Sequence, residues 1–370
     1  MQDARYRQGR LDPAACVLHP AFCGIHMADS AYPRRILVVR VGAMGDTLMA
    51  TPLLRLLHRN HPEAEIDMLA SSVAAPLLEL NPHLKKLYRL RVRNWPLAFS
   101  PEKHRLINQL RSPKYDLAIL LESAPRYRRL LDRIDSGQMR SFSEVSFDTH
   151  LHAIVNNIRV AGIHTKTAEE LDMELPLSAE EDAVAREILQ DLPRPRIGVH
   201  IGWGTGGRKR QQENRLRGWK HSNFVRLISR ILQQSNGSVI LTGSTEDEAD
   251  TQRICRSLPD SRLCSIAGRT NVRQAAAVIK NLELLVSVDS GPCHMAAALG
   301  TPLIVLWGPG RLEQTRPISS FSPIRIVRHP LPCAPCQSAP QQKTCRQNFC
   351  MEAITPEEVF GEVLNLLNLT

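Results

Sequence analysis

The feature that most constrains the fold is a repeated alternation of short apolar runs with longer helical patterns. The run from Ile36 to Val41 is apolar along nearly its whole length and leads into a glycine turn. Leucines at helical spacing follow, and a second, mostly apolar run covers Glu65 to Ala70. Strands that are apolar along most of their length and separated by helices are typical of a parallel sheet buried on both faces. The sequence therefore predicts an α/β protein with a doubly wound sheet.

The alternation breaks once, near Pro176, and this break predicts a second domain. The segment "LPLSAEEDAVAREILQDLPRPR" is typical of a linker, a capped helix and a proline-rich break. The alternation resumes at "RIGVHIG", and 370 residues are long for one domain. We expect two Rossmann-like domains facing a cleft, divided as follows: a poorly ordered extension over 1–33, a first domain over 34–177, a linker over 178–195, a second domain over 196–354, and a C-terminal helix over 355–370 that returns to the first domain.

Glycine-containing turns follow several of the predicted strands: "GAMGD", "GWGTGG", "TGSTEDE" and "DSGPCH". Such sheets bind ligands beyond the carboxyl ends of their strands. The second turn satisfies GxGxxG at Gly202, Gly204 and Gly207, but a charged segment follows it instead of a helix. No acidic residue lies between Glu213 and Glu246 to bind a ribose, and no turn continues into Gly-Lys-Ser/Thr. The turns therefore favour neither hydride transfer nor P-loop ATP hydrolysis.

The stretch "VSVDSGPCHMAAALGTP" predicts a strand that turns sharply into a helix built of small residues. Ser290 or Gly291 can cap this helix, and Pro292 fits its first turn because its missing N–H is not needed there. The free N–H groups and the positive end of the helix dipole then form a natural site for a phosphate. The alternative is an ordinary capped helix with an incidental His294.

These segments resemble the bacterial ADP-heptose:lipopolysaccharide heptosyltransferases, inverting enzymes of glycosyltransferase family 9. The chain carries Asp-Ser-Gly-x-x-His at Asp289 to His294, followed by Gly300-Thr301-Pro302. Its opening "RRILVVRVGAMGDTLMATPLLRLL" and its "RGWKHSNFVRLI" are similar to two further family motifs. The resemblance runs from about Arg35 to the C-terminus. It implies a GT-B fold, two Rossmann-like domains with the acceptor on the first and the nucleotide sugar mainly on the second.

The resemblance also implies roles for individual residues. Asp46 matches the family's catalytic Asp and is the candidate general base, although it could instead cap the following helix. Pro52 leaves open whether that helix starts at Asp46 and is disturbed, or starts at Thr51-Pro52. Arg217, where the family usually has Lys, is the second catalytic candidate, since a guanidinium can stabilise the leaving diphosphate. The expected substrate-binding residues are Gly45, Thr205, Glu246, Asp289, Ser290, Gly291 and His294; Asp247 and Glu248 compete with Glu246 for the ribose, and His294 could serve only for packing.

We therefore expect transfer of heptose from ADP-heptose to a lipopolysaccharide core acceptor by direct displacement, without a catalytic metal. The alternatives are another nucleotide sugar on the same fold, or an inactive nucleotide-binding protein. Lys and Arg exceed Asp and Glu by 47 to 37, which favours a lipid-linked phosphorylated acceptor and an anionic membrane surface as partners. Aromatic residues make up 5% of the chain and no nucleic-acid module is recognisable, so nucleic acid is not expected. No apolar signal segment is recognisable near the N-terminus, and the resemblance implies a peripheral location on the cytoplasmic face of the inner membrane.

The chain has nine cysteines, four of which form a cluster near the C-terminus. Cys333, Cys336, Cys345 and Cys350 follow the pattern Cys-x₂-Cys-x₈-Cys-x₄-Cys. Four thiolates at this density could hold a structural zinc or iron ion. Free thiols, or a disulfide formed under oxidising handling, are the alternatives.

Overall fold

The computed structural model describes residues 33–92, 94–202, 216–336, 339, 342, 345 and 347–368. Within these residues the chain forms two parallel β-sheets, each flanked by helices. The strands of the first sheet are β1 (Arg35–Arg40), β2 (Glu65–Ser71), β3 (Lys86–Leu90), β4 (Tyr115–Leu120) and β5 (Ser136–Ser141). The strands of the second sheet are β6 (Arg196–His200), β7 (Ser238–Thr242), β8 (Leu263–Ser265), β9 (Leu284–Val288), β10 (Leu303–Leu306) and β11 (Ile324–Val327).

Both sheets have the strand order of nucleotide-binding α/β domains. The first runs β3-β2-β1-β4-β5 and the second β11-β10-β9-β6-β7-β8, with the recorded strand pairs parallel. In each sheet the order reverses beside the domain's first strand, between β1 and β4 and between β6 and β9. Ligands of doubly wound sheets bind at this reversal, outside the carboxyl ends of the strands. The predicted fold class is confirmed.

The helices cover both faces of the two sheets. The first domain contains α1 (Met44–Leu48), α2 (Thr51–Asn60), α3 (Pro101–Arg111), α4 (Pro125–Leu131) and α5 (Ala153–Val160), and α6 (Ala179–Leu189) follows in the predicted linker. The second contains α7 (His221–Gln234), α8 (Glu248–Ser257), α9 (Val272–Lys280), α10 (Gly291–Leu299), α11 (Leu312–Thr315), α12 (Phe349–Glu352) and α13 (Pro356–Leu367). Among the helices that the structure describes, none combines the length and apolar composition needed to span a bilayer.

The apolar strands bury side chains on both faces, as their composition predicts. In β1, Leu37 and Val39 pack with α3 and α4 on the outer face of the first sheet. Ile36 and Val38, on the opposite face, belong to one continuous cluster that also contains Val305 from β10 of the second sheet. The two domains therefore share an apolar core instead of meeting only at a polar surface.

Arg273 joins three segments of the chain at this interface. It lies in α9 and keeps only 6% of its surface exposed. Its guanidinium forms an ion pair with Glu181 of α6 and donates to the carbonyl oxygens of Pro76 and Pro176, each at 2.9 Å. A buried charge is tolerated only when it is paired and hydrogen-bonded, as it is here. The Arg273 side chain thus contacts the first domain, the linker and the second domain at once, in addition to the shared apolar core.

The C-terminal helix differs from the prediction. We expected it to return to the first domain, but α13 packs against α7 and the strands of the second sheet. Val359, Phe360 and Val363 are buried in the core on the outer face of that sheet. The reason is that these apolar positions, which the helical spacing identifies, fill the face of the second sheet that α7 alone leaves uncovered.

Candidate active site

The candidate site lies where the two domains bring their strand-reversal points together. The turn after β1 leads into α1, and the turn after β9 leads into α10; these two short helices are in contact. A Cβ atom built on Gly45 would lie 2.6 Å from Cδ2 of His294, and one built on Gly291 would lie 3.1 Å from Cε of Met44. Glycine at these positions therefore permits the close approach of the two helix starts.

Asp46 is held in the first turn of α1 by two contacts. Its Oδ1 lies 2.9 Å from Nη2 of Arg40, and its Oδ2 accepts a hydrogen bond of 3.1 Å from the Ala43 N–H. Burial acts to raise the pKa of Asp46, but Arg40 and the Ala43 N–H outweigh it, so the pKa lies below its usual value. The side chain still keeps 36% of its surface accessible. Asp46 is thus an ionised carboxylate that is partly exposed.

The helical segment around Asp46 is divided in two. Ala43, not Asp46, is the N-cap of α1, and α2 begins at Thr51 with Pro52 in its first turn. The sequence left open whether one helix starts at Asp46 and is disturbed by Pro52 or a helix starts at Thr51-Pro52; the structure has two separate helices, and the second starts at Thr51. The carboxylate of Asp46 also accepts the Ala43 N–H and so stabilises the turn before α1. Asp46 therefore has a structural contact and is partly exposed at the same time.

Arg40 is a site residue that the sequence reasoning missed. It is the last residue of β1, and besides Asp46 it donates to the Leu121 carbonyl oxygen beyond β4. Glu122 in the same loop accepts from the Val41 N–H at 2.8 Å, so the loops after β1 and β4 are fastened together. The available signal was a cation at the carboxyl end of an otherwise apolar parallel strand.

Arg217 and Asp289 form an ion pair on the second domain. Nη1 of Arg217 lies 3.3 Å from Oδ2 of Asp289, which directly follows β9 and is buried. Arg217 keeps about a quarter of its side chain exposed. Arg217 and Asp289, which the sequence analysis identified as separate site residues, therefore contact each other, and the carboxylate orients the guanidinium.

His294 lies between the acidic groups of the two domains. Burial lowers its pKa, whereas Asp289 and Asp46 oppose this effect and Arg217 adds to it, so the imidazole is neutral near pH 7. Its Nδ1 is buried and has no hydrogen-bond partner among the described residues. Packing against Gly45 is its clearest contact.

The start of α10 carries the residues of the predicted phosphate site, Ser290 and Gly291. Ser290 is the N-cap, its backbone is extended, and its side chain does not cap the helix. The Ser290 hydroxyl instead lies 3.1 Å from the Ser287 hydroxyl. With Pro292 in the first turn and Gly291 free of a side chain, the helix start leaves its N-terminal dipole available to an anion.

The remaining residues expected to bind the nucleotide are the acids after β7 and Thr205. Glu246 lies exposed in a short 3₁₀ helix after β7, while the carboxylate of Asp247 accepts from the N–H and hydroxyl of Ser244, both at 2.8 Å. Glu248 starts α8. Thr205 lies outside the described residues. Of the three acids considered for the ribose, Asp247 thus already uses its carboxylate to bind Ser244 in the same turn.

The predicted metal site at the four cysteines finds no support. In the described part of the chain, which includes Cys333, Cys336, Cys345 and Cys350, no three His, Cys, Asp or Glu side chains are grouped closely enough to hold a metal ion. The Sγ of Cys345 donates to the Gln347 carbonyl oxygen at 2.9 Å. Burial raises the pKa of Cys336, and that of Cys350 to about 11, and neighbouring cysteines add to both effects.

Two Rossmann-like domains whose strand-reversal points face each other are the architecture of the GT-B fold, which is the fold of many glycosyltransferases. Residues 103–346 match the family model for glycosyltransferase family 9 (heptosyltransferase). The chain belongs to this family and is a heptosyltransferase enzyme. The resemblance inferred from the motifs is confirmed.

Individual relatives cover most of the chain. It is 26% identical to lipopolysaccharide heptosyltransferase 2 of Escherichia coli K12, over 80% of this chain and 88% of the relative. It is 27% identical to lipooligosaccharide heptosyltransferase 2 of Haemophilus influenzae, over 78% and 87%. Among solved structures, E. coli ADP-heptose LPS heptosyltransferase II superposes with a TM-score of 0.71 at 23% identity, covering 90% of this chain and 98% of that one.

Proposed function

We propose that this enzyme transfers heptose from ADP-heptose to a phosphorylated lipopolysaccharide core acceptor with inversion at the anomeric carbon, and that Asp46 is the general base. The observation that carries the proposal is the contact between the two helix starts, with Gly45 of α1 against His294 of α10, because it supports a site in which Asp46 and the start of α10 act together. The names of the relatives support the sugar and the acceptor class. Another nucleotide sugar on the same site is the alternative.

Asp46 suits a base that acts late in bond formation. Arg40 keeps it ionised, and its accessible surface leaves an oxygen edge for the incoming hydroxyl. A carboxylate of low pKa is a weak base, so it accepts the proton only as the new glycosidic bond forms and the hydroxyl becomes acidic. General-base assistance of this kind contributes about 10²–10⁴-fold to the rate.

The leaving diphosphate needs positive charge that does not depend on a metal. We assign this role to the start of α10 at Ser290 and Gly291 together with Arg217. The Asp289 carboxylate orients the guanidinium and reduces its mobility, so less entropy is lost when phosphate binds. Thr205 and Glu246 remain proposed contacts of the nucleotide.

The test is ADP release from ADP-heptose in the presence of heptose-deficient lipopolysaccharide core, with the product's anomeric configuration read by NMR. Asp46→Asn keeps an oxygen that can accept from Ala43 but removes the charge, so turnover should fall by about 10²–10⁴-fold while donor binding persists. Asp250→Asn, a surface carboxylate in the first turn of α8, is the matched control and should keep full activity. Full turnover in Asp46→Asn would refute the base. Absence of donor binding in the parent would direct attention to other nucleotide sugars, and a retained configuration would refute direct displacement.

We also propose that the enzyme works at the cytoplasmic face of the inner membrane as a peripheral protein. A lipid-linked acceptor requires the cleft to approach a bilayer, and the chain's excess of cations favours an anionic one.

A further inference from the structure

Two large aromatic side chains stand exposed within five residues of each other in the first domain. Trp95 keeps 60% of its surface accessible and Phe99 keeps 74%. Isolated exposed apolar residues are normal on protein surfaces, whereas two large exposed rings four positions apart in a segment that also carries cations are typical of an interaction surface. We call the group of Arg91, Trp95, Phe99, Lys103 and Arg126 the aromatic–basic corner.

Hydrogen bonds hold the backbone of this corner in place, so the exposure of the two rings follows from the fold. The Glu102 carboxylate accepts from the N–H groups of Arg91 and Val92, at 2.7 and 2.9 Å. The ammonium of Lys103 donates to the carbonyl oxygen of Trp95. Ser100 caps α3 by accepting from the Lys103 N–H. The chain around the rings is thus held on the first turn of α3 while the rings themselves face solvent.

The charge beside the rings is positive. Arg91 and Arg126 are exposed, and Arg126 lies close enough to Lys103 to lower its pKa, in addition to the larger effect of burial. Glu102, an acid that contacts this segment, already accepts two backbone N–H groups. Exposed aromatic rings flanked by cations have the composition of a surface that binds the interface of an anionic bilayer.

The corner also lies at the same edge of the first sheet as Asp46. The segment that carries Trp95 and Phe99 follows the carboxyl end of β3, and Arg126 lies in the first turn of α4 beyond the carboxyl end of β4. Asp46 follows the carboxyl end of β1 in the same parallel sheet. Carboxyl ends of parallel strands meet at one edge, so a bilayer that contacts the corner faces the acceptor side of the cleft.

We propose that the aromatic–basic corner docks this enzyme on an anionic lipid bilayer, with Trp95 and Phe99 entering the headgroup region and Arg91 and Arg126 binding lipid phosphates. This inference rests on the proposed function in one respect, that the acceptor is lipid-linked. A second copy of this chain, or a protein partner, would be a different occupant of the same surface and is distinguished by the test.

The experiment is co-sedimentation of the full chain with vesicles of phosphatidylcholine alone or mixed with phosphatidylglycerol. The parent should bind the mixed vesicles, and binding should weaken as salt rises. Trp95→Ser/Phe99→Ser should reduce this binding by about tenfold or more, because burial of aromatic surface is lost. Phe321→Ser, which removes a ring 57% exposed on the second domain, is the matched control and should bind like the parent.

Three outcomes would overturn the proposal: a parent that does not bind mixed vesicles, a double variant that binds as well as the parent, or a control that loses binding to the same degree. Sedimentation velocity adds a fourth, since a double variant that alters only self-association would identify a contact between copies. ADP release with a water-soluble, deacylated acceptor separates this inference from the proposed function. The double variant should turn over that acceptor normally, whereas failure of the parent to do so would count against the proposed function and leave the vesicle result standing.

Discussion

Replacement of Gly45 by alanine tests whether the contact between the two helix starts builds the site. The added Cβ would lie 2.6 Å from Cδ2 and 3.0 Å from Nε2 of His294, whereas ordinary contacts begin near 3.4 Å. The two helices must therefore separate by nearly 1 Å, because the imidazole is buried and cannot swing into solvent. A misplacement of about 1 Å in an active site can cost about 10²-fold in rate.

Stability should change much less than activity in this variant. Overpacking costs about 1–3 kcal/mol, but alanine is better than glycine in a helix by about 1 kcal/mol, so the two effects partly cancel. We expect kcat for ADP release to fall by about 100-fold with a modest decrease in the thermal unfolding midpoint. Gly361→Ala is the matched control in α13: no atom lies within 4 Å of its added Cβ, so it should leave kcat unchanged and stabilise the protein slightly.

A double-mutant cycle tests whether a clash with His294 causes the loss of kcat in Gly45→Ala. In the background of His294→Ala the imidazole is gone, so Gly45→Ala should reduce kcat little further. If Gly45→Ala reduced kcat by the same factor in both backgrounds, the steric argument would be wrong. Full activity of the single variant Gly45→Ala would refute it more directly.

Three further predictions concern charges and hydrogen bonds. Arg40→Gln removes the positive charge 2.9 Å from Asp46 that helps to lower its pKa, so the effect of burial then dominates and the acid limb of the kcat/KM profile should move to higher pH; an unmoved limb would contradict the pairing. Arg273→Met should lower the free energy of unfolding by about 3 kcal/mol in urea titrations, since its ion-pair partner stays behind uncompensated. Tyr115→Phe removes the 2.6 Å hydrogen bond to the buried carboxylate of Asp67 and should cost about 1–3 kcal/mol in the same titration; an unchanged midpoint would mean that water replaces the hydroxyl.

The fold could be predicted from the sequence because its determinants are local. Apolar runs such as Ile36 to Val41 must be buried on both faces, and short helical connections leave parallel pairing as the one way to do so. The strand-to-helix turns at Asp46 and Ser290 could be found for the same reason, since each occupies a few consecutive residues.

The contacts that complete the site depend on distant parts of the chain. The pairing of Arg40 with Asp46 and with the loop after β4, and the packing of His294 against Gly45, become visible only once β1 and β9 are placed in their sheets. The metal prediction was not supported because spacing along the chain does not fix the directions of side chains. The C-terminal helix was assigned to the wrong domain because periodicity identifies its apolar face but not the surface that covers it.

The shared core and the Arg273 contact have a consequence for how such enzymes can be recombined. α6 belongs to neither sheet, yet it packs against α9 of the second domain, and Ala185 and Leu189 lie in the cluster common to both domains. A chimera that exchanged donor halves at the start of β6 would leave α6 facing a foreign partner. A crossover placed before Ser178 would carry α6 and its α9 partner together and keep the Glu181–Arg273 ion pair, whereas the contacts of Arg273 with Pro76 and Pro176 and the shared apolar core would have to be re-formed with the new host.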